Sequence, residues 1–146
     1  MIVRLVAATV AGGIVCFGAG FLIYGLLLGP MLIEPNLHKY AGAAGDLMKE
    51  PPSMIPLVLA NLTFAFLIAF IFERWAGIRT FATGAMAGAI IFFLTTLYVC
   101  FSMFAFFRLY KNYTPLLADA AGSIVLGALV GGVIGLILGM MNKNNG

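Results

Sequence analysis

The sequence predicts an all-α, polytopic membrane protein that folds as a bundle of four transmembrane helices. Of its 146 residues, 63% are hydrophobic and 9% are charged, whereas a soluble domain carries roughly a quarter charged residues. Four apolar segments are each long enough to cross a bilayer, which takes about 20 helical residues. The 18 glycines suit the close helix packing that membranes favour. We therefore expect a single transmembrane domain over residues 1–146.

The first predicted span covers residues 3–29, and Arg4 is its only charged residue. Pro30 follows directly, and because proline interrupts the hydrogen bonding of a helix interior, we expect the helix to end there. Residues 30–54 form the longest and most polar connection. Within it, the apolar positions of residues 36–49 predict a short helix on the membrane surface.

The second predicted span covers residues 55–72. Two charged residues and a tryptophan follow at 73–75, and tryptophan beside charges is typical of the lipid headgroup region. The turn that ends at Thr80 is short, so we expect the second and third helices to be antiparallel neighbours. The third predicted span covers residues 81–107, with small residues in its first half and aromatic residues in its second. The fourth covers residues 116–141.

Glycines recur at every fourth position of the fourth span, as Gly127, Gly131, Gly135 and Gly139. They form three overlapping G-x-x-x-G motifs, the pattern of a glycine zipper, whose groove lets another backbone lie close. Ser123 and Asp119 extend the stripe by two steps. The first span offers a stripe of Ala8, Gly12, Cys16 and Gly20, and the third offers Gly84 and Gly88. We expect the ladder to pack against the first helix within one molecule. The alternative is contact with a second copy or another membrane subunit.

Polar residues gather at one end of the predicted bundle. Near the start of the fourth span, Asp119 is expected to complement the helix dipole, while Asn61 in the second is expected to make an interhelical hydrogen bond. Alternation of the spans places both at the same end as three loop residues. Together they form a candidate polar vestibule: Asp119, Asn61, Glu34, His38 and Arg108. The opposite end shows only weakly polar groups such as Thr83. The vestibule is either a shallow site for a headgroup, an ion or a partner loop, or the ordinary hydrated end of a bundle.

No signature of catalysis or cofactor binding stands out. His38 is the only histidine, which excludes bis-histidine haem ligation within the chain and disfavours a histidine-based metal site. Neither a P-loop nor an H-E-x-x-H motif occurs. Cys16 and Cys100 fall within apolar segments, where cysteine packs as a small hydrophobic residue. We therefore expect a protein that is not an enzyme, with no cofactor, no metal and no nucleic-acid partner.

Three stretches resemble the small four-helix proteins of the bacterial inner membrane that are grouped as domains of unknown function. They are GAGFLIYGLLLGP in the first span, LHKYAG in the proline-bounded loop and YTPLLADAAGS at the start of the last helix. The resemblance implies a four-helix fold in the inner membrane. It carries no known activity and so assigns no functional residue.

The basic residues are divided equally between the two sides of the membrane. One side holds Arg4, Arg74, Arg79 and Lys143. The other holds Lys39, Lys49, Arg108 and Lys111. The positive-inside rule therefore does not decide the orientation, but the α-amino group and the acidic residues of the first loop favour cytoplasmic termini.

The function that the sequence favours is that of a non-enzymatic subunit or scaffold of a membrane complex. Its partners would be the lipid bilayer and either a second copy or other membrane subunits, contacted through glycine-mediated helix packing. The alternative is a small transporter or channel that works as an oligomer. An enzyme acting on a lipid headgroup is the least favoured hypothesis.

Overall fold

The computed structural model describes residues 1–39 and 53–143. This part of the chain contains four helices that are long and apolar enough to cross a membrane, and no strand beyond one isolated bridge. The predicted all-α bundle of four membrane-spanning helices is confirmed. The helices are α1 (Ile2–Asn36), α2 (Met54–Ala76), α3 (Phe81–Phe106) and α4 (Thr114–Lys143).

The first helix continues past Pro30, so the prediction that it ends there is wrong. Within α1, the π-helical segment contains the proline and has wider turns than an α-helix. In an α-helix the proline ring collides with the carbonyl four residues back; the wider turn relieves that collision. The N–H of Glu34 accordingly bonds the Gly29 carbonyl, five residues back. The segments of α1 are an α-helix over Ile2–Gly20, a π-helix over Phe21–Ile33 and a 3-10 turn over Glu34–Asn36.

The end of α1 pairs with the connection between α3 and α4. Leu37 forms an antiparallel bridge with Tyr110. On one side of this bridge, the His38 N–H donates to the Leu109 carbonyl at 2.8 Å. On the other, the Lys111 N–H donates to the Asn36 carbonyl, also at 2.8 Å. This extended pairing contradicts a surface helix that begins at residue 36. The rest of the predicted helix, from residue 40, lies outside the described residues.

A tight turn joins α2 to α3, as the sequence indicated. Gly77 adopts the left-handed conformation, with φ of 61°, which costs glycine no steric strain. The Ile78 N–H then bonds the Phe72 carbonyl at 3.2 Å, closing the end of the π-helical last turn of α2 (Phe72–Ala76). Thr80 caps α3 by accepting a hydrogen bond from the Thr83 N–H at 3.2 Å, which satisfies one of the free donors at the helix start.

The helices pack in the order α2, α1, α4, α3. Helix α3 lies along α4, and α1 contacts both α2 and α4. Within the described residues, α2 and α3 form no comparable interface, so the expectation that the short turn makes them close neighbours is wrong. Their rings meet at Phe64 and Phe92, whose centroids lie 4.8 Å apart in an edge-to-face arrangement. The two helices therefore diverge beyond the turn that joins them.

The buried core lies toward one end of the bundle. Its fully buried large apolar side chains come from the second halves of α2 and α4: Ile68, Phe72, Val130, Ile134 and Leu138. By contrast, residues 53–60 at the start of α2 are all exposed. We call the end of the bundle where α2 and α4 finish the Glu73 end. The opposite end, where α4 begins, is the Asp119 end.

Candidate functional site

Glycines place the backbones of α3 and α4 in direct contact. A Cβ atom built on Gly131 would lie 2.7 Å from the Gly88 Cα, and one built on Gly88 would lie 2.8 Å from the Gly131 Cα. Real Cβ contacts essentially never come within 3.0 Å, so no other residue fits without separating the helices. Backbones this close make weak Cα–H···O contacts with facing carbonyls, which adds to the packing energy.

The whole ladder of α4 faces α3, not α1 as the sequence suggested. Gly127 lies against the Gly88 carbonyl and the Phe92 ring, and Gly135 lies against Gly84. Gly139 lies against the Arg79 carbonyl at the turn before α3. Gly84 and Gly88, the two glycines that the third span offered, both contact the ladder. The ladder is thus occupied along its length within one molecule.

The small-residue stripe of α1 packs on a different face of α4. Ala8 is fully buried, and a Cβ on Gly12 would lie 2.6 Å from the Ile134 Cδ1 atom. Gly20 differs, since its nearest neighbour would be Leu126 Cδ2 at 3.8 Å, an ordinary contact. Beyond Gly20, the close contact between the two helices involves larger side chains, since a Cβ on Gly122 of α4 would lie 2.5 Å from the Leu28 Cδ1 atom.

Toward the Asp119 end, polar groups replace the glycines on the same stripe of α4. Ser123 is buried and donates to the Ala120 carbonyl at 2.8 Å. Asp119 accepts a hydrogen bond from the Cys100 thiol of α3 at 3.3 Å. At this end, α3 and α4 therefore meet through side chains as well, as in the bond between Cys100 and Asp119.

A cavity of about 550 Å³ lies between α2 and α3 at this end, and we call it the α2/α3 cleft. Helices α1 and α4 form its floor, and α2 and α3 its walls. Its lining is mainly apolar: Cys16, Tyr24, Ala60, Asn61, Phe64, Phe92, Thr95, Thr96, Val99, Asp119, Ser123 and Leu126. The Phe64 and Phe92 ring pair closes it toward the Glu73 end. A second cavity of about 520 Å³, between α1 and α2, shares four of these residues.

The polar groups of the cleft are bound mainly within their own helices or to backbone. Asn61 donates to the Leu57 carbonyl of α2 at 2.7 Å, so the predicted interhelical bond is wrong within the described residues. The Tyr24 hydroxyl donates to the Asp119 carbonyl at 3.1 Å. Among the described residues, Asp119 makes no ion pair. Its carboxylate therefore lines the cleft as an acceptor for the Cys100 thiol.

The predicted vestibule divides into two groups. Asp119 and Asn61 line the same cleft, whereas Glu34, His38 and Arg108 are exposed and do not line it. All five lie at the Asp119 end, because the start of the first loop pairs with the third. Asp119 and Asn61 thus line the cleft, and the three loop residues lie on the surface.

An aromatic stack covers the end of α3. The Phe104 ring lies between Tyr110 and Tyr113, with centroid distances of 4.8 and 5.0 Å. Burial raises the pKa of the Tyr110 phenol, and the nearby Cys100 and Asp119 add to the effect. This tyrosine therefore stays neutral at physiological pH, as suits a ring at the membrane interface.

An ion-pair cluster at the Glu73 end was not predicted from the sequence. Glu73, with a side chain only 4% exposed, pairs with Arg79 at 2.8 Å and with Arg4 at 3.5 Å. Arg4 also donates to the side-chain oxygen of Asn142. The expectation that this end holds only weakly polar groups is wrong. Alternation of the spans predicts that Arg4 and Arg79 lie on the same side of the membrane. Glu73, which precedes Arg74 in the sequence, lies on that side too and pairs with both arginines.

No group of three or more His, Cys, Asp or Glu residues that could hold a metal ion occurs within the described residues. No protein-family model, curated protein or solved structure matches the chain.

Proposed function

We propose that this chain is a non-enzymatic subunit of a complex in the bacterial inner membrane, and that its α2/α3 cleft receives a transmembrane helix of another subunit. The observation that carries the proposal is the divergence of α2 and α3, which leaves an apolar cavity of about 550 Å³ within a membrane bundle. The glycine zipper of α4 acts inside the molecule, where it fixes α3 as one wall of that cavity.

The occupied ladder directs assembly to another surface. Glycine stripes drive helix association in membranes because lipid offers no hydrophobic force between helices. Here Gly127 to Gly139 already face α3. A partner must therefore use side chains elsewhere, and the cleft is a concave surface with both apolar walls and polar groups.

The start of α2 is exposed, as expected for a surface that a helix of another subunit covers. Residues 53–60 are all exposed, while Ala65, Ile68 and Ala69 further along the same helix are fully buried. A helix entering beside Ala60 would contact α2 on one side and Thr95 and Val99 of α3 on the other. Such a helix would extend the burial of α2 toward its start.

Asp119 determines which kind of residue the partner helix must carry. A carboxylate within a membrane is costly unless it pairs with another group, and Asp119 makes no ion pair among the described residues. A partner helix carrying a basic or hydrogen-bond-donating residue at this depth would satisfy it. The pairing would fix both the depth and the rotation of that helix in the cleft.

The proposed orientation has both termini in the cytoplasm. The chain's first residue, with its α-amino group, lies at the Glu73 end, where Arg74 donates to the Met1 sulfur. The acidic residues of the first loop offset the basic residues of the opposite side, and net positive charge favours the cytoplasmic side. Reporter fusions to the C-terminus test this. Cytoplasmic reporter activity is expected, and periplasmic activity would contradict the orientation.

Purification from native membranes tests the proposal, with two tryptophan variants of adjacent residues on α2. Ala60→Trp places a large ring in the cleft, whereas Leu59→Trp places it on the exposed, non-lining face. The wild type and Leu59→Trp should recover the same partner in fixed stoichiometry, and Ala60→Trp should lose it. Equal recovery by both variants, or no partner with the wild type, would refute the proposal.

A small oligomeric transporter or channel is the second candidate, and the Asp119 carboxylate in the cleft, which makes no ion pair among the described residues, favours it. A carboxylate that faces a membrane cavity can bind a cationic substrate in place of a partner residue. Reconstitution in liposomes separates the two. A homo-oligomer that moves a cationic solute, with loss of flux in Asp119→Asn, would support transport and exclude the subunit proposal.

A further inference from the structure

A groove of about 400 Å³ lies between α3 and α4 at the Glu73 end. We call it the Arg79 groove; it is lined by Arg79, Thr80, Phe81, Leu136, Gly139, Met140 and Asn142. The α2/α3 cleft lies toward the other end of the bundle, and no residue lines both. Ligand binding in the groove is therefore independent of the proposed partner in the cleft.

The lining of the groove changes in polarity along its length. Its apolar side chains are 46% exposed at Phe81, 42% at Leu136 and 56% at Met140, so they remain available to a lipid chain. At the rim, by contrast, lie the polar residues Arg79, Thr80 and Asn142. The groove thus has an apolar wall beside a polar rim that can donate hydrogen bonds.

The Glu73 end of the bundle, where the groove lies, carries more positive than negative charge. Arg4, Arg74 and Arg79 lie at this end, and among the described residues Glu73 is its only acid. Three guanidinium groups against one carboxylate leave this end positively charged. A positive rim at the headgroup level attracts anionic lipids.

Arg79 is held in place with donor capacity to spare. Its guanidinium pairs with Glu73 at 2.8 Å and donates to the Ile78 carbonyl at 3.1 Å. It also donates to the Phe72 and Glu73 carbonyls, each at 3.5 Å, so that only its Nε–H is left. Its Nε–H makes no hydrogen bond among the described residues, and neither do the amide hydrogens of Asn142. Because other bonds already fix the guanidinium, little conformational entropy is lost when it binds an anion.

We propose that the Arg79 groove binds one anionic phospholipid. The phosphate lies against Arg79 and Asn142, and an acyl chain runs along Phe81, Leu136 and Met140. Charge complementarity selects the headgroup, and the apolar wall selects a lipid over a soluble phosphate.

Native mass spectrometry of the full chain in detergent, titrated with phosphatidylglycerol or phosphatidylcholine, tests the proposal. One phosphatidylglycerol should bind about tenfold more tightly than phosphatidylcholine, which is about 1.4 kcal/mol. Inorganic phosphate should not displace it. Equal binding of the two lipids, or displacement by inorganic phosphate, would overturn the proposal.

Two pairs of variants locate the site. Arg79→Gln should lose about tenfold in affinity, while Arg74→Gln, which removes the same charge outside the groove, should stay within about twofold. Because Arg79→Gln also breaks the pair with Glu73, Met140→Trp provides a second test that leaves every charge in place. It should abolish binding by filling the groove, whereas Leu129→Trp, on α4 outside the groove, should not. Equal effects within either pair would overturn the assignment.

Discussion

The two ends of the bundle are built from the same four helices but close in different ways. At the Glu73 end, α3 and α4 meet backbone to backbone at Gly88 and Gly131, and α2 buries Ile68 and Phe72 in the core. At the Asp119 end, α2 stands apart and a cavity of about 550 Å³ separates it from α3. Glycine thus brings α3 and α4 together at the first end, and at the second end the cavity lies between α2 and α3.

The difference shows which end stabilises the fold. Without a hydrophobic force between helices in lipid, contact must come from close packing and hydrogen bonds. The Glu73 end has both, through the glycines and the ion pairs of Glu73. At the Asp119 end, the Leu37–Tyr110 bridge joins the end of α1 to the loop before α4, and the Cys100 thiol donates to Asp119 at 3.3 Å. The start of α2 is exposed there. The first end is suited to holding the fold, and the second to receiving a partner.

Substitution at the glycine contact should have the largest effect. Gly88→Ala combined with Gly131→Ala places two Cβ atoms where the facing backbone lies, and overpacking costs about 1–3 kcal/mol at each site. Unfolding in mixed micelles measures the loss. Gly18→Ala is the control, because a Cβ there meets nothing within 4 Å; it should be neutral or stabilising by up to about 1 kcal/mol. Equal stability of the two variants would contradict the packing described.

Removal of the buried carboxylate should have the next largest effect. Glu73→Gln leaves Arg4 and Arg79 without their counter-charge. Breaking a buried ion pair costs about 3–5 kcal/mol, and we expect about 2 kcal/mol here because both arginines are partly exposed. Arg74→Gln, at the same end but outside these pairs, should change the free energy of unfolding by less than about 0.5 kcal/mol. A loss of similar size in both would mean that the cluster acts only through its total charge.

Truncation of an apolar side chain on α2 should distinguish its two halves. Ile68→Ala opens a cavity among fully buried residues and should cost about 2 kcal/mol. Val58→Ala, on the exposed first half, should cost less than about 0.5 kcal/mol. Thermal unfolding in detergent compares them. A cost for Val58→Ala that equals the cost for Ile68→Ala would show that the start of α2 is packed within the monomer.

Asp119→Asn should have the smallest effect on stability and a clear effect on assembly. Asparagine keeps the size of the side chain and can accept from Cys100, so we expect a change of less than about 0.5 kcal/mol. The recovered amount of the partner should nevertheless fall, since the charge that fixes the partner helix is gone. Unchanged recovery would remove Asp119 from the interface.

Hydropathy and glycine spacing were enough to predict most of the fold. The four helices follow from apolar length alone, and Gly84 and Gly88 were identified as partners available to the ladder. Whether the ladder of α4 packs against α1 or α3 depended on which of the two helices aligns its small residues with the glycines of α4. Both helices run antiparallel to α4 and offer small residues at intervals of four, but only α3 aligns its glycines with those of α4.

The candidate site was less predictable because it depends on the separation of α2 from α3. A short turn normally brings two helices together, yet α2 and α3 diverge from theirs, and no residue pattern signals this. Asp119 and Asn61 were identified as the polar residues of the spans, and both line the cleft. The pairing of Arg4 with Glu73 joins residues far apart in sequence. The continuation of α1 through Pro30 depends on π-helical turns that the sequence does not indicate.

Photo-crosslinking in native membranes tests most directly whether the α2/α3 cleft receives a helix of another subunit. A photoreactive amino acid at Thr95 lines the cleft, and one at the adjacent Leu94 lies on the exposed, non-lining side of α3. We expect one discrete adduct with another polypeptide from position 95 and none from position 94. The same pattern from both positions, or a dimer of this chain alone, would contradict the proposed role of the cleft.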